Sequence, residues 1–236
     1  MFDKLRKVFS RDAGREPSAG ADADNPVSQF HAPVSRWAQA HGFAVTLQGK
    51  GQTLSMQGRV EGKRWTLELG KPSRNYIQGE ELRARAELGL NEDAAVLVIN
   101  RPLKEALERK AYDMITNDLR TTADPNLPEE MRWLAMYEEV GWDSLPRAFW
   151  DRYAVLADRK DNALAWIDPQ LAQQLLDWPG KGVPADVPFM MLVLRGKAYL
   201  RMEFRPASPA LVEHVAELFA SACESAIGGL STDLAI

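Results

Sequence analysis

Four arginines carry the first hint of chemistry in this chain: Arg59, Arg64, Arg83 and Arg85 all fall on the polar side of strand-like alternations. A guanidinium is a rigid planar fork of donors that bonds carboxylate or phosphate in bidentate fashion. Gathered on one wall with Thr46, Ser55 and Thr66, these arginines would form an anion site. Glu68 and Glu87 belong to the same face, however, and opposite charges on neighbouring strands pair with one another. The balance of residue types favours a solvated or helix-covered wall, with the anion site as the alternative. A loop at 71–81, KPSRNYIQGEE, adds Arg74, Asn75 and Tyr76, groups that a connection can present to a ligand.

Other chemistries find less support. Cys223 is the one thiol and lies four residues after Phe219 in a helical pattern, with no base close in sequence. A catalytic thiolate needs such a partner, so a buried structural cysteine is expected. His31, His41 and His214 are far apart and show no H-x-x-x-H spacing. No phosphate-cradling G-x-x-x-x-G-K-[ST], no G-x-G-x-x-G after a strand, no G-x-S-x-G, no H-E-x-x-H and no calcium loop occurs. The expectation is therefore no metal and no cofactor. The reading leans away from catalysis.

The elements that position these residues follow from periodicity. Residues 42–69 alternate apolar and polar side chains in three runs, with glycines at 49–52 and 61–63 for tight turns, which predicts an antiparallel meander with one buried face. ELRARAEL continues the alternation, and AAVLVIN is apolar throughout, as suits an interior strand. Pro102 opens a helix with Leu103, Leu107 and Ala111 inward. A second helix is expected from Pro128, with Trp133, Met136, Tyr137 and Val140 on its buried stripe. From about Asp151 the pattern reads strand, helix, strand, strand, helix, with Asp168 and Ser208 as helix caps before Pro169 and Pro209. Both halves, 29–145 and 146–228 with a tail at 229–236, pair a largely antiparallel sheet with helices, an α+β plan. Trp142, Phe149 and Trp150 crowd the junction as a possible interface, with core packing the favoured reading.

Composition limits the partners. The 236 residues are 45% hydrophobic and 26% charged, with a formal charge of −4 and a pI near 5.5. That balance argues against nucleic acid, whose binders need a basic footprint. The first sixteen residues break the trend with five basic and three acidic side chains. In 1–11, Phe2, Leu5, Val8 and Phe9 fall on one helical side and Lys4, Arg6 and Lys7 on the rest, a basic amphipathic arm joined by a polar linker at 12–28. No signal-peptide core precedes the arm, so a cytoplasmic protein is expected, peripheral at the inner face of a membrane where the arm meets anionic lipid. The leading expectation is a non-catalytic protein-binding or adaptor module that docks to a protein partner or an anionic membrane surface through this arm. The alternatives are an immunity-type neutraliser of a partner protein, and an enzyme or small-molecule binder that recognises an anion on the arginine face.

Overall fold

A computed structural model of the chain describes residues 27–118 and 128–231. The arm residues Phe2, Lys4, Leu5, Arg6, Lys7, Val8 and Phe9 lie outside the described residues, as does most of the linker. Val27, at the linker's end, is buried, and a 3-10 turn (Ser28–Phe30) leads into α1 (His31–Ala40), whose inward residues are Val34 and Ala38. Gly42, with φ of 73°, then turns the chain out of the helix into the meander.

The meander is β1 (Ala44–Gln48), β2 (Thr53–Val60) and β3 (Lys63–Gly70), followed by β4 (Glu81–Glu87) and β5 (Ala95–Asn100). Next come α2 (Arg101–Asp118), α3 (Glu129–Met136), β6 (Glu138–Val140), α4 (Arg147–Arg152) and β7 (Tyr153–Ala157). The chain closes with α5 (Lys160–Trp166), α6 (Pro169–Leu176), β8 (Phe189–Leu194), β9 (Lys197–Glu203) and α7 (Pro209–Leu230). Both predicted caps form: Asp168 Oδ1 accepts from Leu171 N at 2.7 Å, and Ser208 Oγ from Leu211 N at 3.2 Å.

The described strands make one antiparallel sheet in the order β1-β2-β3-β4-β9-β8-β5-β7-β6. β4 pairs with β9, and β5 lies between β8 and β7, so strands of the two halves interleave and share a sheet. The fold is α+β. One face is buried from β2 to β7: Met56, Leu67, Leu82, Leu200, Met191, Val98 and Val155 meet side chains of α1, α4, α5, α6 and α7 in the main core, while Leu47 on edge strand β1 is 38% exposed. Trp65, fully buried there, lies so close to Gly58 that a Cβ at 58 would stand 2.4 Å from its ring, which is why that strand position is glycine.

The opposite face is covered over half its width. There α2 and α3 place Leu103, Leu107 and Met131 over Leu97, Ile99, Ala154, Leu156, Met190 and Leu192 of β5, β7 and β8. The helix from Pro128 differs from expectation. It ends at Met136, Tyr137 turns extended, and 138–140 pair with β7 as an edge strand. Met136 is consequently 67% exposed, and Glu130 and Met131 are the buried positions. A helical stripe from 133 to 140 was outcompeted by sheet pairing, a tertiary contact that local periodicity does not contain. Two short helices, α4 and α5, were also not anticipated.

Candidate binding groove

In an antiparallel sheet, directly paired residues share a face, so the register can be read across strands. One row on the half-covered face runs Thr66, Arg85, Tyr199, Leu192, Leu97 from β3 to β5. The next runs Glu68, Arg83, Arg201, Met190, Ile99. Each row passes from polar to cationic to apolar within five strands. The change falls at the β9–β8 boundary, beside residues of α3. A groove of about 500 Å³ opens there. Its lining includes the residues of both rows on β3, β4, β9 and β8, with Leu194 and Arg195 at the β8–β9 turn, Arg74 from the 71–80 loop, and Glu129, Glu130 and Trp133 from α3.

Five arginines (Arg74, Arg83, Arg85, Arg195, Arg201) face three carboxylates (Glu68, Glu129, Glu130) in this lining. Arg83 Nε donates to Glu68 Oε2 at 2.7 Å, and Arg85 Nη2 donates to Glu87. Each bond uses one N–H of a five-donor group, and Arg83 and Arg85 side chains are 38% and 54% exposed, so donors remain for a ligand. Arg201 Nη1 donates to Ser73 Oγ at 2.8 Å, while its Nε stands 3.3 Å from Glu81 Oε1, near enough for ion pairing but not aligned as a hydrogen bond.

Two buried carboxylates hold the back of the groove. Glu81 accepts from Ser73 N at 2.6 Å and from Ser73 Oγ at 2.9 Å. Glu130, on α3, accepts from Arg74 Nε and from Tyr76 Oη. Burial works against the Arg74 charge, but the hydrogen bond and attraction to Glu130 outweigh it and hold its pKa above the ordinary value. Burial, reinforced by the Glu130 charge, pushes the Tyr76 phenol well above its usual range, so it stays a neutral donor. Glu130 Oε2 has no hydrogen-bond partner among the described residues. A carboxylate so placed ties α3 to the loop and fixes the groove wall, because removing its guanidinium partner would leave a buried charge.

Of the four arginines singled out from sequence, Arg83 and Arg85 enter the groove and are not covered by a helix. Arg59 and Arg64 face each other at the end of the β2–β3 hairpin, outside the groove lining, where Arg59 Nη1 donates to Gly62 O at 3.5 Å. Arg74 and Tyr76 of the loop are present, Arg74 in the lining and Tyr76 behind it. Arg201, Tyr199, Arg195, Trp133, Met190 and Leu192 were missed. The alternation of Lys197, Tyr199 and Arg201 with Ala198, Leu200 and Met202 marks a half-polar strand. Nothing in it says that this strand lies beside β4.

The remaining candidates have internal partners. Phe149 is fully buried, and Trp142 and Trp150 pack against the main core and edge-on against each other at 5.0 Å. Cys223 is buried, which pushes its thiol pKa far up. His214 sits under α6 with Nε2 3.1 Å from Gln174 O, and burial lowers its pKa. Among the described residues, no group of three metal-ligating side chains converges.

No protein-family model matches this chain, and no curated protein does. The crystal structure of the mycobacterial trehalose monomycolate transport factor A is similar over 84% of this chain and 94% of that one, at 9% identity and a TM-score of 0.43. A likeness of that degree carries no argument about function. No described helix is long and apolar enough to cross a membrane.

Proposed function

We propose that the protein is a binding module that takes an anionic ligand into the groove between β4 and α3. The single observation behind this reading is the convergence of five arginines, from two loops and two strands, on one cavity whose lining holds three carboxylates, with Glu81 and Glu87 pairing to Arg201 and Arg85 from outside the lining. Arg83 and Arg85 each spend one donor on a carboxylate and remain partly exposed, so donors are left for a ligand. The cavity size is within the range of small-ligand sites, about 300–1,000 Å³. A thermal-shift screen with phosphate, simple carboxylates and phosphate esters tests it. A stabilising anion should lose its effect in Arg83→Ala and Arg85→Ala, while both variants keep the ligand-free Tm. Stabilisation that persists in both variants would refute the site.

A second element is supported by the charge separation along the chain. The basic amphipathic segment 1–11 on an acidic body suits reversible docking to an anionic membrane surface or to an acidic groove on a partner. Deleting residues 1–12 should abolish co-sedimentation with vesicles containing phosphatidylserine and leave groove binding unchanged. Equal sedimentation of both forms would remove the membrane role.

A further inference from the structure

Building on the anion-binding reading, we infer that the ligand is a small, single-headed amphiphile. It is a carboxylate or phosphate monoester on an apolar body, laid across the strands with its head at Arg83 and Arg85 and its body against the half-buried Leu194 and Trp133, above the buried Leu192.

The cross-strand rows carry this. Moving from β4 through β9 to β8, the paired positions are Arg85, Tyr199, Leu192 in one row and Arg83, Arg201, Met190 in the other. Two strand spacings separate the cationic from the apolar end, about 10 Å, so the ligand must present unlike ends at that separation. An inorganic anion would satisfy the arginines and leave the half-buried Leu194 and Trp133 against water. A neutral apolar molecule would bury guanidinium donors without partners, which is costly.

Two other classes fit the same surface less well. An extended peptide gains much of its affinity by pairing with a free strand edge. β3, β4, β9 and β8 are each hydrogen-bonded to a strand on both sides, so the groove floor offers side chains and no free ladder. A nucleic acid or polyphosphate would bring a row of negative charges against Glu68, Glu129 and Glu130, which stand among the arginines and repel a second and third head group. A single head with an apolar body meets neither obstacle.

The test is calorimetric titration of the full-length protein with decyl phosphate and decanoate below their micelle concentrations. Inorganic phosphate, decanol and an acidic decapeptide are titrated beside them. The expected result is saturable binding of decyl phosphate or decanoate, at least about tenfold tighter than phosphate or decanol, since each end contributes about 1.4 kcal/mol or more. Arg85→Gln should weaken it about tenfold by removing charge-assisted hydrogen bonds. Leu194→Gln should weaken the amphiphiles and leave phosphate binding unchanged. Phosphate bound as tightly as decyl phosphate, or the acidic peptide bound in place of both amphiphiles, would overturn the amphiphile and leave the anion site standing. Decanol bound as well as decyl phosphate, with no effect of Arg85→Gln, would overturn both readings. So would the absence of binding by every probe.

Discussion

The two halves of one sheet face make an instructive pair. On β5, β7 and β8 the inward residues Leu97, Ile99, Leu156 and Met190 lie under α2 and α3 and are 0–2% exposed. On β2, β3 and β4 the same face carries Gln57, Thr66, Glu68, Arg83 and Arg85, over which no described helix packs its apolar side chains. Pleat, pairing and hydrogen-bonded ladder are alike in both regions; only the cover differs. Where a helix excludes water, charge is costly and the side chains are apolar. Where it does not, charges persist in solvent-exposed pairs. The groove exists because the helical layer stops short, leaving an apolar bank beside a cationic one.

The contrast can be broken most sharply by mutation in each region. Ile99→Ala, in the covered half, should cost about 2–4 kcal/mol in urea unfolding, the transfer and cavity terms together. Arg85→Ala, in the open half, should change stability by no more than about 0.5 kcal/mol, as exposed ion pairs contribute little. Similar shifts in the two denaturation midpoints would mean that cover is not what distinguishes the halves.

At the boundary the effect should be intermediate. Glu130→Ala removes the buried partner of Arg74, whose own side chain remains 31% exposed, and should cost about 1–3 kcal/mol. Hydrogen exchange should localise the loss to α3 and the 71–80 loop. A loss spread evenly over the sheet would contradict the role of Glu130 in tying the groove wall.

The smallest effect belongs to the fully covered opposite face. Burial holds the His214 pKa below its ordinary value of 6.5, so the unfolded chain takes up the proton first. The corresponding stability is complete above that value and is lost as pH falls towards the depressed folded pKa. The Tm should decline more steeply below about pH 6.5 in the parent than in His214→Gln, followed by calorimetry. Parallel profiles would show that His214 does not contribute.

The meander, the capped helices α6 and α7 and the antiparallel character of the sheet were legible in sequence, because period-2 alternation and cap residues are local signals. Arg83 and Arg85 could be recognised because they belong to such an alternation. Their neighbours Arg201 and Tyr199 could not be placed beside them, since β4 and β9 pair across more than a hundred residues. Grouping Arg59 and Arg64 with them was reasonable on alternation alone. Register carries that pair to the hairpin end instead. The arrest of α3 at Met136 was equally hidden, as it depends on β6 joining β7. Local periodicity thus marks the face of a residue, while the register across the sheet decides its company.

Arg59 and Arg64, on β2 and β3, supply the natural control for the central claim, being on the same sheet face as Arg83 and Arg85 of β4 yet outside the groove lining. The decisive measurement is calorimetric titration of decyl phosphate into full-length Arg83→Gln/Arg85→Gln and Arg59→Gln/Arg64→Gln double variants. The first should lose binding by about a hundredfold, two charge-assisted contacts being removed, while the second should bind as the parent does. Equal loss in both, or binding retained in the first, would contradict the claim.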